Sequence, residues 1–448
     1  MFENIPVDVG MIYEGERIRK HAMHADLGGP KAIGVELLRV VPMEKIEKDE
    51  VIIKGKDIQE MEEGKAYPFG MFIEVAGEKL EEDLEGIFER KIHYFLNYIQ
   101  GFMHLNSRDT IWCRVSKEAK KKGLTLKHIG EILITFYKTE FEVIKKVRVT
   151  LLTDEEEVKK LVEKARAIYE KRDARSRKLR DEDVDIFYAC VLCQSFAPQH
   201  VCIISPNRIS LCGSISWFEG RAAVKIDPHG PIFEVKKGEL LDEEKGEYSG
   251  VNEAVKKASN GAIERIYMHS MFGYPHTSCG CFEAIAFYIP EVDGIGIAHR
   301  NFKGLTPFGL PFSTLASQTG GGIQQEGFLG IAIEYLRSSK FFQGDGGWER
   351  IVWLPKELKE RVKDAIPQEL YDKIATEEIG DIEALKNFLR EKQHPVVKRW
   401  VEKEEEKEEP AIVAEELELP AVGGGVKIIL KNAKIYAETV IIKKMEKK

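Results

Sequence analysis

At 448 residues the chain is longer than one ordinary hydrophobic core supports, so two or three domains are expected. The net charge of -8, with both signs interspersed and only short, interrupted basic runs at 117–122 and 171–180, argues against a nucleic-acid partner. Seven cysteines are too sparse for a disulfide scaffold, the first residues lack the basic head and apolar run of a secretory signal, and no apolar run reaches membrane-spanning length; a cytoplasmic protein whose clustered thiols serve metal or catalysis is expected.

In chain order, residues 35–41 read as a strand, and the stretch 81–105 places Leu84, Ile87, Phe88, Ile92, Phe95, Leu96 and Ile99 at helical spacing. Residues 1 to about 150 therefore look like an α+β unit. Residues 147–152 read as a further strand, followed by a helix that Thr153 and Glu156 would open as a capping box and that buries Val158, Leu161, Val162, Ala165 and Ile168. The stretch 171–185 is almost wholly charged with no apolar period, which is where a domain boundary is expected. From Ile186 cysteine, glycine, proline and aromatic residues rise together. Strand-like runs at 263–268 and 283–289 flank a tight polar turn with Cys279 and Cys281, and glycine-rich loops follow at 320–322 and 344–347. Residues 402–418 form an acidic low-complexity linker, and 426–443 alternates like a small hairpin. The expected fold is multi-domain α+β or mixed α/β: an N-terminal α+β domain at 1–180, a cysteine-bearing mixed domain at 181–397 that would hold metal, and an acidic linker with a small hairpin-like tail at 398–448.

The first thiol cluster is Cys190-x2-Cys193-x8-Cys202-x9-Cys212. Four cysteinates can bind zinc or an iron-sulfur cube. One C-x2-C followed by two widely spaced cysteines favours iron-sulfur, because structural zinc usually takes two short knuckles. The apolar and aromatic surroundings, FYACVLCQSFAPQHVC, would keep water from a cluster. Four buried unligated cysteines are the bland alternative.

The second element is Cys279-Gly280-Cys281. Two thiolates one residue apart can chelate one metal together with the amide nitrogens of Gly280 and Cys281, once those are deprotonated. Counting round the chain gives a six-membered ring and two five-membered rings, and fused rings of that kind enforce a plane, which points to nickel or copper(II) over tetrahedral zinc. Glycine at the centre is expected to remove a side chain that would crowd the chelate. A turn with two incidental thiols, or a redox disulfide, is the alternative.

The strings YACVLCQSFAPQHVCIISPNRISLCG and MFGYPHTSCGCFEAIAFYIPEVDGIGI resemble the catalytic subunit of carbon monoxide dehydrogenase/acetyl-CoA synthase, in particular its shorter archaeal form in the acetyl-CoA decarbonylase/synthase complex. The resemblance spans residues 1 to about 395, with no departure at the six clustered cysteines; on this reading the large N-terminal domain of longer bacterial relatives is not expected. It implies a 4Fe-4S cluster held by Cys190, Cys193, Cys202 and Cys212 and joined to two nickel ions. Cys193 would bridge to a proximal nickel, and Cys279 and Cys281 would bridge that ion to a distal one completed by the Gly280 and Cys281 amides. The proximal nickel, with bridging sulfurs alone as ligands, would keep open positions.

The implied activity is that of an acyltransferase in the one-carbon metabolism of methanogens, condensing CO, a corrinoid-bound methyl group and CoA into acetyl-CoA, or the reverse. Implied partners are CO dehydrogenase subunits and a corrinoid iron-sulfur methyl carrier. Phe196, three residues after Cys193, would limit the space for ligands at the proximal nickel; simple core packing is the alternative. His200, His269 and His276 could hydrogen-bond to sulfur or be ordinary satisfied polar groups. The 320–322 loop lacks the lysine and spacing of a phosphate-binding loop. Cys113 reads as a core thiol. Two other functions are weighed: an electron-transfer iron-sulfur protein without nickel chemistry, and a zinc-bearing scaffold.

Overall fold

The computed structural model describes residues 2–107 and 110–400, together with the backbone of two segments at 412–418 and 429–435. The first part of the chain builds β1 (Met23–Gly28), β2 (Gly34–Val40), β3 (Glu50–Lys54), β4 (Ala66–Tyr67), β5 (Phe69–Gly77), helix α1 (Glu85–Asn97), β6 (Phe102–Ser107), β7 (Thr110–Ser116), α2 (Lys117–Lys121), α3 (Leu126–Glu140), β8 (Ile144–Leu152) and α4 (Glu155–Ser176). They form two sheets, ordered β2-β5-β8-β3 and β4-β1-β7-β6. One face of α1, carrying Phe88, Ile92, Phe95 and Leu96, is buried with α3 residues such as Leu126, Ile129 and Leu133 in the main core of this part. Cys113 lies in that core, fully buried on β7. The amphipathic stretch at 81–105 is not one helix: α1 stops at Asn97, Gly101 turns at φ 72°, and the chain returns as β6.

The second part adds β9 (Ile186–Cys190), β10 (Cys202–Ile204), α5 (Trp217–Ile226), β11 (Ile232–Lys236), β12 (Leu240–Asp242), β13 (Glu247–Tyr248), α6 (Ser249–Ala258), β14 (Ala284–Ile289), β15 (Gly294–His299), α7 (Phe312–Ala316), β16 (Phe328–Ile331), β17 (Ile351–Trp353), α8 (Lys356–Arg361), α9 (Gln368–Tyr371) and α10 (Ile382–Glu391). Its main sheets run β10-β9-β11 and β16-β14-β15-β17. With helices and several small sheets interleaved, the fold is α+β and multi-domain in kind, as expected.

Four local expectations are corrected. Helix α4 is capped by Asp154, whose side chain accepts from the Glu156 and Glu157 amides, while Thr153 Oγ1 donates to the Lys56 carbonyl. The charged stretch at 171–185 begins inside that helix, because its arginines are paired: Arg172 with Glu85 and Glu89, Arg175 with Asp83 and Glu219, Arg177 with Glu334. Residues 263–268 form no strand; Ile263, Ile266 and Met268 instead pack with Val251 and Val255 of α6. The tail pairing is antiparallel, but its first strand, β18 (Ile412–Glu418), comes from the end of the acidic stretch and meets β19 (Ile429–Ile435). The remainder of the expected hairpin at 426–443 lies outside the described residues. Among the described residues no helix is long and apolar enough to cross a membrane.

Candidate metal centre

The first four thiols are gathered by one hairpin and two turns. Strand β9 ends on Cys190, a single 3-10 turn at Leu192–Ser195 carries Cys193, and antiparallel pairing sets Cys202 of β10 directly opposite Cys190. Cys212 follows in a turn closed by the Gly213 amide on the Ser210 carbonyl, and Ser210 Oγ lies 3.3 Å from its sulfur. All four thiols line one small cavity, together with Cys279 and Arg90. Every cysteine of the chain is unpaired, so none of these sulfurs is committed to a disulfide.

Cys279 and Cys281 sit in the loop that leads into β14. Their sulfurs and that of Cys193 all lie within 4.8 Å of one another. Cys193 is thus common to the four-cysteine cavity and to this trio. The Cys281 amide points at the Cys279 sulfur, 3.4 Å away, so amide and thiol converge on the same space. Gly280 is also required by its backbone conformation. Beyond its two chain neighbours no protein atom lies within 4 Å of where its Cβ would be, and its φ of 99° is a conformation that L side chains rarely adopt. The carbonyls on either side of Cys281 are held: Arg300 donates to Gly280 O and to Phe282 O. Behind the loop, the Gly322 amide donates to the Ser278 carbonyl.

Burial pushes the Cys190 and Cys202 thiols up, Cys202 to about 12, so their thiolates need a bound cation to be stable here. Within the trio, hydrogen bonds from Cys193 and Cys279 hold the Cys281 thiol well below the usual thiol range, while the same sharing pushes Cys279 up. Four thiols around one cavity, and a second set of sulfur and amide donors sharing one member with it, suit a soft, thiophilic, multi-metal group.

Hydrogen bonds that reach sulfur come from residues other than the histidines. Arg90 Nη2 lies 3.3 Å from Cys281 Sγ and 3.7 Å from Cys193 Sγ, and Tyr94 Oη lies 4.0 Å from Cys193 Sγ. The histidines are engaged elsewhere: His200 with Thr277, His269 with Asp181, and His276 with the Ile203 amide and Thr277 carbonyl. Phe196 ends the Cys193 turn and is 39% exposed, so it is not a core residue. Arg90, Tyr94 and Arg300 were not singled out from the sequence. The available signal was Arg90 and Tyr94 one helical turn apart, in line with Ile87 along one face of α1. Gly86 lets α1 come this close, since a Cβ there would stand 2.2 Å from the Ser214 carbonyl.

Comparison with known proteins bears on this geometry directly. Residues 5–158 match the family model described as the CO dehydrogenase/acetyl-CoA synthase complex beta subunit, and residues 169–400 match the one that describes the C-terminal part of the ACS/CODH beta subunit. The acetyl-CoA decarbonylase/synthase complex subunit beta of Methanopyrus kandleri is 58% identical over 459 residues, covering 99% of this chain and 98% of that one. Its namesake in Methanothermobacter thermautotrophicus is 54% identical over 462 residues, covering 99% of this chain and 100% of that one. A solved structure of the C-terminal domain of an acetyl-coenzyme A synthase alpha subunit is 44% identical over 27% of this chain and 96% of that chain, with a TM-score of 0.25. With full-length identity at this level and the two family models together matching most of the chain, the chain belongs to the family of the CO dehydrogenase/acetyl-CoA synthase complex beta subunit.

Proposed function

We propose that this chain is an acyltransferase, the acetyl-CoA synthase/decarbonylase subunit that condenses CO, a corrinoid-bound methyl group and CoA into acetyl-CoA, and that also runs the cleavage. The observation that carries this reading is Cys193, which belongs at once to the four-thiol cavity and to the trio with Cys279 and Cys281. A single shared thiolate is what joins a 4Fe-4S cluster to a neighbouring metal. Cys190, Cys193, Cys202 and Cys212 would hold the cluster; Cys193, Cys279 and Cys281 would hold the proximal nickel; Cys279, Cys281 and the Gly280 and Cys281 amides would hold the distal one. When bound, that group would supply the carbon-joining chemistry, which is why no serine or carboxylate nucleophile is needed from the chain.

The chain's own residues bind and orient. Arg300 ties down the carbonyls at either side of Cys281, keeping the chelating loop in one conformation. Phe196 stands at the exposed edge of the Cys193 turn, where its ring would restrict what approaches. Proposed partners are the CO dehydrogenase subunits and a corrinoid iron-sulfur methyl carrier, with CO, CoA and acetyl-CoA as substrates in the cytoplasm. An electron-transfer iron-sulfur protein is not favoured, because it leaves Cys279 and Cys281 without a use.

The test is anaerobic reconstitution with iron and nickel, followed by metal analysis and acetyl exchange between CoA and acetyl-CoA. Nickel and iron in a ratio of about one to two, with exchange, is the expected result. Cys279→Ser and Cys281→Ser should each abolish exchange and leave the iron-sulfur spectrum largely intact. Exchange surviving in both would overturn the assignment.

A further inference from the structure

We infer that Arg90 is a positioning residue for the nickel-bridging thiolates, its guanidinium donating to the sulfurs of Cys193 and Cys281 and supplying the positive charge that sets the redox poise of the group they hold. This rests on the metal assignment proposed above.

Arg90 is 3% exposed, so its charge is removed from water and must be answered nearby. Among the described residues its polar contacts are the two sulfurs, at 3.7 and 3.3 Å, and Asn106 Oδ1, at 3.4 Å. Its side chain also lies over the Tyr94 ring, 5.5 Å from the centroid. Among the described residues no carboxylate is within ion-pair range of it, in contrast to Arg172, which is paired with both Glu85 and Glu89. The two sulfurs are therefore the groups placed to answer its charge. The orientation of the guanidinium is itself fixed from behind: Asn106 Nδ2 donates to Glu36 Oε1 at 2.5 Å, and Glu36 Oε2 is met by His104 Nε2 at 2.7 Å. Glu36 and His104 are both buried. A chain of polar groups thus runs from the β2 and β6 strands to the sulfurs and ends in one fixed fork.

Arg90 also comes from a part of the chain that holds none of the six clustered thiols. It sits on α1, within residues 5–158, whereas those cysteines all lie within residues 169–400. Arg300, the other cation beside the loop, donates to backbone carbonyls and leaves the sulfurs to Arg90. Donors to a metal-bound thiolate draw electron density from it, which stabilises the reduced form and makes the sulfur a weaker ligand. The sign of the effect follows. Removing Arg90 should make the bound group harder to reduce while leaving nickel held at least as tightly, whereas mere structural damage would loosen nickel.

The experiment uses the full chain, anaerobically reconstituted, as wild type, Arg90→Gln, Arg90→Lys and Asn106→Ala. The readouts are nickel retention and the midpoint potential followed by electron paramagnetic resonance, with no activity assay needed. In Arg90→Gln the oxidised-to-reduced ratio at fixed ambient potential is expected to rise about tenfold, equivalent to a midpoint fall of about 59 mV for one electron. Nickel should be retained. Arg90→Lys, which restores the charge, should return most of the shift, and Asn106→Ala should fall in the same direction by less. Should Arg90→Gln fail to fold, the Lys and Ala variants decide. Wild-type midpoints in the variants that fold, or a lowered midpoint accompanied by lost nickel, would overturn the role given to Arg90. A wild-type chain that takes up no nickel would instead overturn the metal assignment itself.

Discussion

Arg300 donates through Nη2 to the carbonyl of Gly280 at 2.7 Å, and the same nitrogen reaches Phe282 O at 2.8 Å, so one side chain clamps the backbone on both sides of Cys281. Arg300→Ala would leave both carbonyls without that donor and release the loop. Nickel retention should fall roughly 10- to 100-fold, the scale on which supporting groups act on metal affinity. Iron should stay, because the four-thiol cavity lies on other elements. Metal analysis after exhaustive desalting checks both halves of the prediction.

Gly280→Ala separates backbone strain from steric crowding. Its added methyl would meet no protein atom beyond the two chain neighbours within 4 Å, so the chain should fold, but holding φ at 99° would cost about 1–2 kcal/mol. The loop should relax away from that geometry and give up the amide and thiol convergence at Cys279 and Cys281. Unchanged far-ultraviolet circular dichroism with loss of acetyl exchange is expected. Full exchange in this variant would show that the left-handed backbone is not needed.

Asp154→Ala should destabilise the start of α4 by about 1 kcal/mol, since its carboxylate answers two otherwise unpaired amides. Hydrogen exchange at Glu156 and Glu157 should quicken in this variant. It should not quicken in Thr153→Val, where the hydroxyl lost is one that serves the Lys56 carbonyl.

His394 makes stability depend on pH. Burial pushes its imidazole down to about 4, and it is held neutral, accepting from the Val396 amide at Nδ1 and donating from Nε2 to Ile351 O. A folded-state value below the unfolded one means that the unfolded chain binds the extra proton. The His394 contribution is therefore complete above about pH 6.5 and is lost as pH falls towards 4, on the order of 3 kcal/mol in all. Urea midpoints should drop between pH 7 and pH 5 more steeply for wild type than for His394→Gln. Equal slopes would refute the assignment.

Much of the candidate centre was legible before any fold was known. The order of six thiols and the spacing that would let Cys279, Gly280 and Cys281 chelate one metal are matters of covalent spacing, and spacing survives in the chain as written. Strands rich in apolar and β-branched residues were equally visible at β2, β8 and β14. The misreadings share a cause. Residues 263–268 have the composition of a strand yet find their burial against α6, since tertiary packing overrides local propensity. Thr153 was a plausible cap until its hydroxyl proved to be used by Lys56 O. The charged run after Glu170 has no apolar period, but Arg172 finds buried Glu85 and Glu89 on α1 and Arg175 finds Asp83 just before it, so the helix continues.

Sequence alone determined which thiols are clustered and which two stand one residue apart, because both follow from bonds and counting along the backbone. Tertiary structure decided that Cys193 belongs to both thiol groups, that Arg300 holds the loop, and that Arg90, 103 residues from Cys193 and 191 from Cys281, faces their sulfurs. Those contacts join residues far apart in the chain. Their geometry comes from how α1 packs on the Ser214 turn through Gly86, and no local pattern encodes that approach.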